Sequence, residues 1–228
     1  MSASYSCKDN NMEKIKYAIF DMDGTLTDSM HIWDTSAGAF LMMRGIIPRD
    51  FDVFRKRGYV AGISYMIEEY NLPLTYDQVM AELLKILEYY YNNVAEAKSG
   101  VKEFLHAMQD SGVKMCIASA TNKYLVRDCL RRNGILEYFS KIYSTHEDSK
   151  PKTDPEVFHM ASEFMEAEGD VWVFEDALYA IKTAKAAGFK VLAVEDYSDE
   201  NEREEIKKLA DYYITDYSQL YDIFDLKA

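Results

Sequence analysis

The chain has 228 residues, of which 48% are apolar and 29% charged, and its formal net charge is −13. This length suits one globular domain or a core with a smaller insertion, and the negative charge excludes the basic surface that nucleic acid requires. The apolar runs are too short to span a bilayer, and three cysteines without metal-ligand spacing indicate reduced thiols in a soluble, cytoplasmic protein.

The beginning of the chain, residues 1–12, is polar and lacks the apolar stretch of a signal peptide. We expect a disordered leader here, with Met12 as an alternative start. The apolar patterns that predict strands and helices begin after this segment, from residue 13 onwards.

Short runs rich in β-branched and aromatic residues alternate with longer amphipathic stretches along most of the chain. Such alternation predicts an α/β fold: a doubly wound, Rossmann-like parallel sheet with helices on both faces. Asp154 and Pro155 are typical of a helix start, as an N-cap followed by proline in the first turn. The predicted strands are 16–20, 113–119, 141–144, 171–174, 190–194 and 212–214, and helical patterns occupy 101–109 and 157–165.

One long segment, residues 29–98, interrupts this alternation and shows no clear strand. Its patterns suit helices at 32–43, 60–70 and 76–92. We therefore predict an all-helical cap domain at 29–98, inserted into a core domain made of 13–28 and 99–228. The alternative is that these are additional helices covering the sheet. Three consecutive tyrosines at 89–91 are interpreted as packing residues, although one of them could line a pocket.

The sharpest motif follows the first predicted strand, where Asp21 and Asp23 flank Met22 and precede Gly24. Ligands of open parallel sheets bind beyond the carboxyl ends of the strands. Paired carboxylates there can bind a hard cation, attack phosphorus as a nucleophile, or exchange a proton with a leaving group. The simpler alternative is a turn in which an aspartate only caps the next helix.

Three later positions also follow predicted strands. Ser119 and Ala120 end the second core strand, Lys152 follows the third, and Glu175 and Asp176 follow the fourth. Taken alone, a serine at such a place is usually a helix cap and a lysine is usually a solvated surface residue. Two carboxylates at the end of a buried strand are costly unless they are paired or bind a metal. We expect all these groups to meet at one edge of the sheet.

In this order and spacing, the four motifs resemble those of the haloacid dehalogenase superfamily, within it the subfamily of beta-phosphoglucomutase and phosphoglycolate phosphatase. The resemblance covers nearly the whole chain after Met12. It implies that Asp21 is the nucleophile and a magnesium ligand. It also implies that Asp23 is the general acid and base and offers the metal its backbone carbonyl. The other implied magnesium ligands are Glu175 and Asp176, and the implied phosphate-binding residues are Ser119, Ala120 and Lys152.

The resemblance further implies a magnesium-dependent phosphatase that hydrolyses small phosphorylated metabolites through an aspartyl-phosphate intermediate, with sugar phosphates as one candidate class. Neither nucleic acid nor a membrane is expected as a partner, and a monomer is favoured. The lysine of the third motif usually precedes proline, as Lys150 does here, but the residues that follow Lys152 fit the motif better. Lys150 therefore remains the alternative.

Two other functions stay open at this point. A beta-phosphoglucomutase-like isomerase is weakened because Trp33 stands where those enzymes usually have histidine, and Tyr65 where they have an arginine that grips the second phosphate of a bisphosphate. A non-catalytic phosphoacceptor or regulatory binding module would also combine an acidic cluster, a hydroxyl and a lysine. Such modules are about half this length and lack an insertion of this kind.

Overall fold

The computed structural model describes residues 12–50, 53–57 and 59–226, so the predicted leader up to residue 11 lies outside the described residues. Within them the strands are β1 Tyr17–Phe20, β2 Thr27–Asp28, β3 Glu96–Ala97, β4 Lys114–Ser119, β5 Lys141–Ser144, β6 Trp172–Glu175, β7 Lys190–Val194 and β8 Tyr212–Ile214. The α-helices are α1 Met30–Met42, α2 Val53–Arg57, α3 Tyr59–Glu69, α4 Tyr76–Asn93, α5 Val101–Asp110, α6 Lys123–Arg132, α7 Glu156–Phe164, α8 Leu178–Ala186 and α9 Arg203–Leu209.

Six of these strands form one parallel sheet in the order β5-β4-β1-β6-β7-β8. Strand β1 is central, with Phe20 level with Ile117 of β4 and with Phe174 of β6. The chain leaves β1 towards β4 and later returns to the other side of β1 as β6. The predicted doubly wound α/β fold is therefore confirmed.

The sheet separates two apolar clusters because successive strand residues point to opposite faces. Ala18 and Phe20 belong to one cluster with α5 and α6, and Ile19 belongs to the other with α7 and α8. Burial on both faces explains why the core strands are near-continuous apolar runs without alternation. None of the helices in the described part of the chain combines the length and apolar character needed to cross a bilayer.

Helices α1–α4 lie between the first two core strands and pack around a third apolar cluster that includes Phe40, Ile63 and Leu83. Helix α4 begins with a capping box in which Thr75 and Gln78 exchange side-chain-to-backbone hydrogen bonds. Its buried residues recur every four positions, at Val79, Leu83, Leu87 and Tyr91. This spacing forms one stripe along the helix that ends with Tyr91 at the core. The separate apolar cluster supports a distinct cap, which stays a prediction.

Two details differ from the sequence-based expectation. The segment predicted to be all-helical contains strand β3, which pairs antiparallel with β2 and joins both ends of the insertion to the core. A strand of two residues is too short to show any periodicity. Helix α7 begins at Glu156, so Pro155 is its N-cap residue and not its first helical one. Asp154 still accepts a hydrogen bond from the Glu156 N–H, at 3.0 Å.

Candidate active site

The candidate site lies at the carboxyl ends of β1 and β6, the two neighbouring strands in the middle of the sheet. The connections that follow these strands lead to helices on opposite faces of the sheet. This arrangement opens a crevice between the two connections. The Asp21 N–H donates to the Phe174 carbonyl at 3.0 Å and so extends the β1–β6 pairing by one residue. Asp21 is thereby fixed beside Glu175 and Asp176.

A tight turn after β1 shapes one side of the crevice. The N–H groups of Leu26 and Thr27 both donate to the Met22 carbonyl, each at 2.9 Å. Gly24 has a φ of +76°, and a Cβ atom at this position would lie 2.2 Å from the Asp176 carboxylate. Only glycine meets both requirements, because side chains disfavour positive φ and none would fit against Asp176.

The first group of charged side chains surrounds Asp21. The Lys152 ammonium donates hydrogen bonds to the Asp21 carboxylate and, at 2.6 Å, to Oε1 of Glu175. Oε2 of Glu175 accepts the backbone N–H groups of Asp176 and Ala177, each at 2.9 Å. Asp21, Lys152 and Glu175 are all less than 7% exposed. We call these three residues, together with Asp176, the ionic cluster.

The ionic cluster has the donor set of a hard-cation site. Carboxylate oxygens of Asp21, Glu175 and Asp176 lie within 4.8 Å of one another, and Thr25 Oγ1 donates to Asp176 Oδ1 at 2.9 Å. Oxygen-only ligands suit Mg²⁺ and Ca²⁺. Three buried carboxylates face a single ammonium group here, and a divalent cation would balance that excess negative charge. The residues present therefore fit a divalent metal ion.

The second group surrounds Asp23 and consists of neutral hydroxyls. Oδ1 of Asp23 accepts hydrogen bonds from Ser29 at 2.6 Å and from Tyr91 at 2.7 Å, and Oδ2 accepts one from Thr121 at 2.7 Å. Ser29 follows β2, Tyr91 is in α4, and Thr121 follows β4. We call Asp23 and these three partners the hydroxyl cluster.

Burial sets the acid–base character of these groups. It raises the pKa of Asp21, the Lys152 ammonium opposes this rise, and the carboxylates of Glu175 and Asp23 add to it. Burial likewise raises the pKa of Asp23, while the hydrogen bonds from Ser29, Thr121 and Tyr91 lower it. For Lys152, burial acts to lower the pKa, but Asp21 and Glu175 outweigh it and the pKa is raised. The two carboxylates therefore favour the charged form of Lys152.

The predicted phosphate-binding residues lie at two places. Ser119 is fully buried at the end of β4, and its hydroxyl accepts the Thr121 N–H at 3.0 Å, which leaves its own proton available to donate. Ala120 lines the cavity next to the two carboxylate groups. The structure brings Lys152 into the ionic cluster and not Lys150, which is exposed and pairs with Asp154 at 3.0 Å. This placement favours Lys152 over Lys150 as the phosphate-neutralising lysine, which stays a prediction.

The ionic cluster lines a cavity of about 860 Å³ together with Asp23 and Thr121 of the hydroxyl cluster. The residues that sequence reasoning missed are mainly those around Asp23. In the sequence, nothing marks Ser29 and Thr121 as site residues except that each lies next to a strand end. The sequence predicts Tyr91 to be a packing residue. Tyr91 does pack, but its hydroxyl also reaches Asp23. The cavity also includes aromatic residues of the helical insertion and a polar segment after β7.

Comparison with known proteins gives a consistent result. The family model described as haloacid dehalogenase-like hydrolase matches residues 18–194. The chain is 28% identical to validoxylamine A 7'-phosphate phosphatase of Streptomyces hygroscopicus subsp. limoneus, over 76% of this chain and 82% of that protein. It is 26% identical to the phosphorylated carbohydrates phosphatase of Thermotoga maritima, over 75% of this chain and 81% of that protein.

Solved structures extend the comparison to the fold. The crystal structure of CbbY from Rhodobacter sphaeroides in complex with phosphate superposes with a TM-score of 0.74, covering 92% of this chain and 99% of that one. The sequence identity of this pair is 17%, so the likeness concerns the fold alone.

Proposed function

Because the chain belongs to the haloacid dehalogenase-like hydrolase family, we propose that it hydrolyses phosphomonoesters of small metabolites through a phosphoaspartate on Asp21, with Mg²⁺ bound beside it. In reaction class the chain is a phosphoric monoester hydrolase of this family. One observation carries the proposal. Asp21 is held by a buried ammonium, next to two further carboxylates, at the carboxyl end of the central strand.

The proposed reaction has two steps, both carried by the paired aspartates. A carboxylate oxygen of Asp21 attacks phosphorus, and the bond between phosphorus and the alcohol oxygen breaks. Asp23 gives its proton to the departing oxygen and afterwards takes a proton from water. That water attacks phosphorus, the bond to Asp21 breaks, and inorganic phosphate leaves.

The remaining site residues position and neutralise the phosphoryl group. Ser119, the backbone amide of Ala120, and Lys152 are the proposed phosphate-binding groups. Side chains of Asp21, Glu175 and Asp176, with the backbone carbonyl of Asp23, would hold Mg²⁺. The ion would supply positive charge against the phosphoryl oxygens.

The helical insertion is the proposed cap over this site. Its residues line the same cavity as the ionic cluster, and Tyr91 connects it directly to Asp23. Closure of such a cap would exclude bulk water from the phosphoryl group. The two cysteines in the described residues are buried free thiols, which supports the reducing cytoplasm as the proposed location.

A phosphate-release screen tests the proposal. The purified chain is assayed against a panel of phosphorylated metabolites with Mg²⁺ and with a chelator. We expect release from some panel members that falls to background with chelator. Full activity in chelator would contradict the metal assignment, and no release from any substrate would contradict the hydrolase. A requirement for catalytic sugar bisphosphate with little free phosphate would favour the isomerase instead.

A further inference from the structure

The cavity extends well beyond the two carboxylate clusters. Its volume of about 860 Å³ is in the upper part of the usual range for small-molecule sites, and a phosphate group fills only a small part of it. Apart from Ala120, Ala177 and Tyr179, the lining residues that lie outside the clusters come from helices α1–α3 and from the segment after β7. In a phosphomonoesterase this outer part faces the alcohol half of the substrate, and its chemistry selects that half.

Three aromatic side chains form one wall of the outer cavity, and we call Trp33, Phe54 and Tyr59 the aromatic wall. The ring centroids of Trp33 and Tyr59 are 5.2 Å apart with perpendicular planes, and those of Phe54 and Tyr59 are 4.8 Å apart. Gly62 allows this packing, because a Cβ atom there would lie 2.6 Å from the Phe54 ring. The wall is thus a fixed apolar surface.

The cavity presents the Tyr59 ring and not its hydroxyl. The hydroxyl oxygen is buried and has no hydrogen-bond partner among the described residues. The ring itself lines the cavity. A ligand in the outer cavity therefore meets an aromatic face, which suits the flat or C–H-bearing face of a ring.

Another part of the outer cavity is polar and acidic. It is lined by Ser198, Glu200, Asn201 and Glu202, which follow Tyr197 and which we call the acidic rim. Lys98 pairs with Asp196 and Arg203 pairs with Glu195, each at 3.0 Å, although the Nε atom of Arg203 has no hydrogen-bond partner among the described residues.

Positive charge is scarce among the described side chains that line the cavity. Lys152 carries the sole positive charge among them, and it is held by Asp21 and Glu175. Among these described lining groups a second anionic group on a substrate would meet carboxylates and no further cation, and its loss of hydration would cost free energy without compensation.

We propose that the aromatic wall and the acidic rim form a leaving-group subsite for a ring-bearing alcohol that carries no negative charge. The preferred substrates are then monophosphates of neutral or amino-substituted rings. Bisphosphates and phosphorylated carboxylic acids are discriminated against. This inference rests on the proposed hydrolase function and specifies its substrate class.

Three substrates built on one hexose ring test the charge requirement. Glucosamine 1-phosphate, glucose 1-phosphate and glucuronic acid 1-phosphate carry a cationic, neutral or anionic ring. We expect kcat/KM for phosphate release to be at least about 5-fold higher for each of the first two than for glucuronic acid 1-phosphate at low salt. The difference should shrink in about 0.5 M salt, which is roughly three times the ionic strength at which screening acts over ~8 Å. Equal or better use of glucuronic acid 1-phosphate would overturn the inference.

Variants of the aromatic wall test the ring requirement. The readout is the ratio of kcat/KM for glucose 6-phosphate to that for glycerol 3-phosphate, which has no ring. This ratio does not depend on the folded fraction of a variant. Trp33→Leu and Tyr59→Leu should each lower it by about 2- to 12-fold. Tyr59→Phe keeps the ring and should recover most of the loss, whereas an equal loss in Tyr59→Phe and Tyr59→Leu would overturn the assignment of the ring face.

A variant of the acidic rim completes the test. Glu200→Gln combined with Glu202→Gln should raise kcat/KM for glucuronic acid 1-phosphate relative to glucose 1-phosphate by about 5-fold. An unchanged ratio would show that the acidic rim does not select for charge and would overturn its assignment to the leaving-group subsite. Absence of phosphate release from every substrate would instead refute the hydrolase itself, whereas release with the reversed order of preference refutes only the subsite.

Discussion

Asp21 and Asp23 lie two residues apart on one turn, yet they occupy different chemical surroundings. Asp21 is in contact with an ammonium group and lies beside two carboxylates. Asp23 accepts hydrogen bonds from three neutral hydroxyls. The ionic cluster is built from residues at the ends of β1 and β6 and from Lys152 in the loop after β5, whereas the hydroxyl cluster includes a residue of the helical insertion.

The difference in donors separates the roles of the two aspartates. An ammonium group can only donate hydrogen bonds, so Lys152 favours the ionised form of Asp21. A hydroxyl can donate or accept, so the partners of Asp23 can hydrogen-bond to either its ionised or its protonated form. A nucleophile must stay ionised, and a general acid and base must change its protonation state. Lys152 opposes the rise that burial causes in the pKa of Asp21, and a bound divalent cation would oppose it further, whereas the partners of Asp23 accommodate both of its forms.

The strongest test of this comparison is Asp21→Asn, which removes the nucleophilic carboxylate. We expect phosphate release to fall by about 10⁴-fold or more, because an amide cannot form the phosphoaspartate. Magnesium-dependent trapping by beryllofluoride should be lost as well. An unaltered thermal melting curve serves as the control for folding, and undiminished turnover would refute the nucleophile assignment.

Replacing the second aspartate should have a smaller effect. Asp23→Ala is expected to lower turnover by about 10²- to 10⁴-fold, the usual range for loss of a general acid and base. Its Mg²⁺ affinity should stay close to that of the parent protein, because the proposed contact at this position is a backbone carbonyl. Calorimetric titration beside Asp176→Ala checks this, and an equal loss of affinity in both variants would contradict the division of roles.

The two lysines provide a matched pair for the stability of the ionic cluster. Lys152→Met leaves Asp21 and Glu175 buried without their cation, and we expect it to lower the free energy of unfolding by about 3–5 kcal/mol. Lys150→Met removes an exposed charge and should change it by less than about 0.5 kcal/mol. Urea unfolding in chelator measures both. Similar losses would show that the buried ion pairs do not stabilise the fold.

The smallest expected effect concerns Tyr91, the link between the helical insertion and Asp23. Tyr91→Phe removes one of three donors and should destabilise the protein by about 0.5–1.5 kcal/mol. If it also positions Asp23, turnover of alkyl phosphates, which need a proton on the leaving oxygen, should fall by about 10-fold. Turnover of 4-nitrophenyl phosphate should fall much less.

The control for this variant is Tyr89→Phe on the same helix. Tyr89 is 61% exposed, so removal of its hydroxyl should leave the ratio of the two turnovers unchanged. An equal decrease for both substrate types in Tyr91→Phe would mean that Tyr91 supports the fold without positioning Asp23.

Much of the core could be predicted because its determinants are local. Strands β5, β7 and β8 have the predicted bounds, β1 and β4 begin one residue later than predicted, and β6 is shifted by one residue at both ends. A buried parallel strand can be recognised as a short apolar run, and the residue that follows the run marks the carboxyl end of the strand. The sequence therefore predicts that Asp21, Lys152, Glu175 and Asp176, which all follow such runs, lie at one edge of the sheet. The structure brings these four residues together.

What the sequence by itself determined was the order of elements, the edge at which the charged residues meet, and the family to which the chain belongs. Only the tertiary structure decided which groups surround Asp23, how β2 and β3 close the insertion, and which residues line the outer cavity. These contacts join residues up to 98 positions apart, as Asp23 and Thr121 are. Hydroxyls of Ser, Thr and Tyr occur throughout the chain, so only the packing of helix α4 against the core selects Tyr91 among its neighbours.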